Sequence, residues 1–184
     1  MRLGILGGTF NPIHLGHLLL AECARQQCRL DQVWFMPTAS PPHKSSHRLL
    51  DGRRRLALIR LAIRGHPCFR ASDLELRLGG VSYTIRTVQA LHVLQPHAQL
   101  FFIIGSDMLK VRWYRFEALR RLCTFVVADR GSTIQSRRGI RRIVMPQVDI
   151  SSSMIRQRVR QGRSVRYLVP DAVLGSLVRH RLYR

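Results

Sequence analysis

Acidic residues are scarce in this chain. Ten Asp and Glu stand against 31 Lys and Arg, a formal charge of +21 over 184 residues. A field of that sign attracts anions, nucleotides and nucleic acid among them. The excess is nearly all Arg and is spread along the chain, so most of it reads as a compositional bias. Long apolar runs are missing too. No run is long enough to span a bilayer, and the first residues lack a basic region followed by a hydrophobic core and cleavage site. A soluble protein with no membrane partner is expected. The four cysteines, at 23, 28, 68 and 123, form no Cys-x-x-Cys pair and no zinc spacing. They read as reduced thiols of a cytoplasmic protein. Apart from His14 and His17, the eight histidines are scattered without acidic partners at ligand spacing, so no protein metal site is expected. The aromatic platform of an RNA recognition motif is also absent.

What is present suits a globular α/β protein. The hydrophobic share is 46%, and the length supports one domain, 1–184, with a sizeable core. Its oligomeric state is left open. Strand-like runs at 2–6, 32–36, 68–71, 100–104, 123–128 and 143–145 alternate with helical stretches at 16–27, 49–64, 82–94, 116–121 and 171–183. This order predicts a Rossmann-like, doubly wound, mainly parallel sheet with helices on both faces and a small C-terminal helical segment. Residues 73–78 alternate Leu74, Leu76 and Leu78 with polar residues, as an edge strand would. Arg53, Arg54 and Arg55 should open the second helix toward solvent.

Three helix starts look ready for anions. The first follows a strand: Gly7-Gly8-Thr9-Phe10-Asn11-Pro12-Ile13-His14-Leu15-Gly16-His17. Two glycines let the backbone turn and approach a ligand, and the free N–H groups of a helix start favour an anion. No P-loop Lys follows, so histidines must supply part of the donor surface. His14 and His17 share one helix face, with Gly16 between them giving a phosphate room. The second start is Ser82-Tyr83-Thr84, with Ser82 as cap. The third is Ile150-Ser151-Ser152-Ser153-Met154-Ile155-Arg156, where serines cap a helix and Arg156, one turn in, can reach the same anion. Between them, Pro41-Pro42-His43-Lys44 follows a strand end, as phosphate contacts or plain surface loop. Gly105-Ser106-Asp107 follows the most apolar strand. There Asp107 suits either a ribose or a helix cap.

The first motif resembles the signature of nucleotidyltransferases with a His-x-Gly-His site. The remaining landmarks, with Trp113-Tyr114 and Tyr167-Leu168-Val169-Pro170, resemble the bacterial nicotinate-nucleotide adenylyltransferase family over nearly the whole chain. That resemblance implies transfer of AMP from ATP to nicotinate mononucleotide, giving nicotinate adenine dinucleotide and pyrophosphate in NAD synthesis. Mg²⁺ would come with the substrate. It implies His17 and His14 as catalytic groups on the phosphates. It implies ATP contacts at Gly7, Gly8, Thr9, Phe10, Gly105, Asp107, Ile150, Ser151, Ser152 and Arg156. The acceptor would meet His43, Lys44, Tyr83, Thr84, Trp113 and Tyr114, by stacking and cation–π attraction at the aromatic rings. Trp113 fits core packing equally. Three positions depart from the family pattern: Asn11 for Asp, Ser153 for Thr, and Arg86 where Asp is common. The same chemistry on nicotinamide mononucleotide, phosphopantetheine or an alcohol phosphate is the nearest alternative. A basic RNA-binding domain is the alternative of another class.

Overall fold

A computed structural model describes residues 1–40, 49–105, 113–129 and 139–184. Its sheet has six strands: β1 (Arg2–Gly8), β2 (Gln32–Pro37), β3 (Phe69–Ala71), β4 (Gln99–Gly105), β5 (Thr124–Asp129) and β6 (Ile140–Val144). All neighbours pair in parallel, in the order β3-β2-β1-β4-β5-β6. The helices are α1 (Leu15–Gln27), α2 (Gly52–Ala62), α3 (Leu74–Leu78), α4 (Thr84–Leu94), α5 (Phe116–Leu122), α6 (Ser152–Arg160) and α7 (Asp171–Arg179).

The central strands are apolar throughout because a parallel sheet is covered on both faces. Successive side chains go to opposite layers. In β4, Phe101 and Ile103 join one cluster with Leu20 and Ala24 of α1, Leu58 and Ile59 of α2, Ile155 of α6 and Val173 of α7. Leu100, Phe102 and Ile104 join the other, with Leu74 of α3, Val88 and Leu91 of α4, and Leu119 of α5. Each fully buried Leu, Ile or Phe contributes about 1.5–3 kcal/mol relative to exposure. The two clusters are the two faces of the expected doubly wound fold. Strand order reverses between β1 and β4, and ligands of such sheets gather beyond the carboxyl ends at that crevice. Gly7, Gly8 and Gly105 end the two strands there.

Several local expectations change. Residues 74–78 are a helix with Asp73 at its N-cap position, not an edge strand. The neighbours Leu74 and Glu75 are both buried there, which a period of two forbids, and Arg77 returns to Asp73 at 2.9 Å. Ser82 does not cap α4. Tyr83 holds the N-cap position, and the Ser82 hydroxyl accepts from the Ala39 amide at 2.9 Å and the Ser40 amide at 3.3 Å. The second helix starts later than expected, because the Asp51 carboxylate caps it through the Arg53 and Arg54 amides. The last helix ends at Arg179, with Leu182 still buried beyond it. Most unexpectedly, Arg55 does not face solvent: it is 1% exposed.

Candidate active site

The turn after β1 works differently from its sequence reading. Gly7 and Gly8 lie within the strand, and the sharp bend falls on Phe10, at φ 45°. A Cβ at Gly8 would stand 3.2 Å from the Phe10 ring. Gly8 is therefore small to admit that ring. The ring is buried, edge-on to His17 at 4.9 Å and tilted on Phe35. Phe10 floors the site, so only its backbone is placed to face a nucleotide.

His14 is the N-cap of α1 and is 6% exposed. Its amide donates to Nδ1 of His17 at 3.2 Å, and the two rings stack at 3.7 Å. This bond sets the chemistry of His17. A ring nitrogen that accepts carries no hydrogen, so the neutral imidazole holds its hydrogen on Nε2. A Cβ at Gly16 would meet the His14 ring at 3.2 Å and the Ile150 carbonyl at 3.8 Å. Gly16 thus makes room for the His14 ring, and the third motif lies in contact with it.

The third motif interlocks with the first. The Ser152 hydroxyl donates to the Pro12 carbonyl at 2.8 Å, and Nη1 of Arg156 donates to the Asn11 carbonyl at 2.8 Å. These bonds span 140 and 145 residues. Ser151 caps α6 by accepting from the Met154 amide, and Nη2 of Arg156 reaches Ser153. Ser152 therefore commits its hydrogen to a clasp, and Arg156 divides its fork between the Asn11 carbonyl and Ser153. The 167–170 turn also serves the site: the Leu168 carbonyl takes the Leu15 amide at 3.0 Å.

The acceptor-side aromatics separate into two kinds. Tyr83 and Tyr114 are 38% and 59% exposed, with ring centroids 4.9 Å apart. Trp113 is half-buried and packs edge-on against Phe102 and Phe125. One part of its ring braces the core while the rest stays exposed beside Tyr114. Thr84 begins α4 beside Tyr83. His43, Lys44 and Asp107 lie outside the described residues. Arg86 donates to the carbonyls of Leu78, Gly79 and Val81, so its cation holds the turn before Tyr83.

These features set a His-Gly-His helix start against a serine-capped one at the sheet's switch point, beside exposed tyrosines. The sequence profile of the cytidylyltransferase-like family matches residues 5–158. A Synechococcus sp. (strain JA-3-3Ab) protein named a probable nicotinate-nucleotide adenylyltransferase is 46% identical, over 99% of this chain and 94% of its own length. A protein of the same name from Oceanobacillus iheyensis is 41% identical, over 99% and 96%. The chain belongs to the nicotinate-nucleotide adenylyltransferase family. The fold is shared with the nicotinic acid mononucleotide adenylyltransferase of Plasmodium falciparum complexed with NaAD. That structure is 19% identical with a TM-score of 0.81, over 99% of this chain and 97% of the other.

Within this family member, sequence reasoning missed three groups that shape the site. Asn11, a departure from the family's Asp, is the first. Its Oδ1 accepts from Tyr183 Oη at 2.7 Å and the Leu50 amide at 3.2 Å, binding the chain's end to the phosphate turn. Burial raises the Tyr183 phenol well above its ordinary value, so it stays a donor. Arg55 was legible: it precedes Leu58 and Ile59 by three and four residues, on the apolar face of α2. Glu75, 5% exposed, accepts from the Thr87 hydroxyl at 2.8 Å. Burial raises its carboxyl pKa, against the lowering effects of Thr87, Ser82 and Arg55. Nothing in the local pattern marked it.

Proposed function

We propose that this chain transfers AMP from ATP to nicotinate mononucleotide, forming nicotinate adenine dinucleotide and releasing pyrophosphate. The observation that carries the reading is the clasp of Ser152 and Arg156 on the carbonyls of Pro12 and Asn11. It sets two anion-favouring helix starts at one opening, as a polyphosphate needs. Family membership supplies the acceptor.

In this reading an oxygen of the acceptor's phosphate attacks the α-phosphorus of ATP. The bond from that phosphorus to the β-bridging oxygen breaks, and pyrophosphate leaves with the electron pair. No protein nucleophile is required. Rate comes from alignment and from donors aimed at developing charge. Nε2–H of His17 is placed to donate to an oxygen of the transferring phosphate. Arg156 and the start of α6 hold the triphosphate from the other side. His14, stacked beneath His17, keeps that ring in place. Tyr83 and Tyr114 offer rings to the pyridinium, where cation–π attraction suits its charge.

A divalent ion would ride on the triphosphate. Among the described residues no group of three His, Cys, Asp or Glu could hold a metal, and Asn11 Oδ1 already accepts from two donors. We assign Mg²⁺ to the substrate, where it would neutralise phosphate charge. Among the described residues no helix is long and apolar enough to cross a membrane. Cytoplasmic location belongs to the same reading. Nucleic-acid binding and self-association are not drawn upon by it.

Steady-state rates with ATP and either nicotinate or nicotinamide mononucleotide test the substrate. The nicotinate form is expected to give the higher kcat/KM. A clear preference for the nicotinamide form would overturn the acceptor assignment while leaving adenylyl transfer intact.

A further inference from the structure

One buried cation touches the proposed phosphate turn and the segment that leads to the proposed acceptor wall. Arg55 lies in the first turn of α2 and donates three hydrogen bonds to three segments. Nη1 reaches the Thr9 carbonyl at 2.9 Å, Nη2 the Thr38 carbonyl at 2.7 Å, and Nε the Leu50 carbonyl at 2.7 Å. Thr9 belongs to the phosphate turn after β1. Thr38 follows β2, and Leu50 leads into α2. Charge-assisted bonds of this length are strong in a dry interior, and a planar fork meets three fixed carbonyls as an ammonium does not.

The path continues from Thr38 to the acceptor wall. The Ala39 and Ser40 amides donate to the Ser82 hydroxyl, the Ser82 amide returns to the Ser40 carbonyl at 3.0 Å, and Ser40 bridges Val81. Tyr83 follows directly. Residues 38–40 are thus gripped by Arg55 on one side and by Ser82 on the other. The ladder between β1 and β2 closes with the Thr38 amide on the Gly8 carbonyl. Beyond that bond the Thr9 and Thr38 carbonyls share Arg55.

We infer that Arg55 is a positioning residue that fixes the ATP-phosphate turn relative to the acceptor wall. The inference rests on the proposed adenylyl transfer, because only a two-substrate in-line reaction needs that spacing. Reacting atoms must stand about 3–3.5 Å apart, and a displacement of about 1 Å can cost about a hundredfold in rate. Binding of either substrate alone depends on its own half-site and is nearly indifferent to the spacing between the halves.

The experiment compares wild type, Arg55→Met and Arg55→Lys. Arg55→Met removes the buried charge together with the fork. Its kcat is expected to fall about a hundredfold, with both KM values within about threefold of wild type. Arg55→Lys keeps the charge and reaches fewer carbonyls, so its kcat should lie between the two. Either variant with wild-type kcat overturns the inference, as does a loss confined to one KM. If Arg55→Met does not melt cooperatively, Arg55→Lys decides the matter alone. Amide hydrogen exchange supplies a readout that needs no substrate. In Arg55→Lys the amides of Ala39, Ser40 and Ser82 should exchange about tenfold faster than in wild type. Unchanged exchange sinks the coupling even if wild type proves inactive on nicotinate mononucleotide, a result that would by itself defeat only the proposed function.

Discussion

The proposed phosphate side and the proposed acceptor side of this opening are built on opposite plans. On the phosphate side nearly every polar group is committed. His14 is buried, His17 is held by an amide, Ser152 and Arg156 lock onto the turn, and Tyr183 closes on Asn11. On the acceptor side, Tyr83 presents an exposed ring after a turn whose Gly79 and Gly80 take positive φ, and Tyr114, just before α5, lays a second exposed ring against it. The difference follows the chemistry. Charge developing on phosphorus oxygens rewards donors that need not reorganise. A planar heterocycle needs a surface to lie on, and stacking tolerates small shifts.

That contrast predicts where damage shows. His17→Ala removes the donor aimed at the transferring phosphate, and kcat should fall by about three orders of magnitude with a cooperative melt retained. Turnover within a few-fold of wild type would mean the phosphate side has been misassigned. Tyr83→Ala should act on the other side: KM for the mononucleotide rises about tenfold while KM for ATP and kcat stay within about threefold. Equal losses in kcat and kcat/KM would erase the distinction between the halves. The smallest effect concerns Glu75, beneath the acceptor turn. Its carboxyl pKa is raised by burial, so the folded state holds a proton that the unfolded chain releases. Stability from this group is complete below the ordinary carboxylate range and is lost as pH rises through the folded value. Glu75→Gln has no such loss. Its melting temperature relative to wild type should therefore climb from pH 4 to pH 8. A flat difference across that range would show that burial does not control Glu75.

Legibility varied with the distance over which a residue acts. The strand-turn-helix around Gly7–His17 and the serine cap at 151 are local patterns, and both stand where they were expected. The edge strand at 73–78 failed because three alternating leucines fit two periods, and burial of the adjacent Leu74 and Glu75 chose between them. Ser82 failed as a cap because Ala39 and Ser40, far earlier in the chain, claimed its hydroxyl. Trp113 fitted stacking or core packing, and as a half-buried ring edge-on to Phe102 and Phe125 it is compatible with both.

The sequence by itself determined the α/β class, the alternation of strand and helix, the two phosphate motifs and the family. These depend on periodicity, caps and residue type within a few positions. Tertiary structure alone decided what each polar side chain is bonded to. Arg55 finds Thr38 across 17 residues, Arg156 finds Asn11 across 145, and Tyr183 finds Asn11 across 172. A buried donor must be satisfied by whichever carbonyl the fold brings within about 3 Å, and the sheet order, not the neighbouring residues, selects that carbonyl.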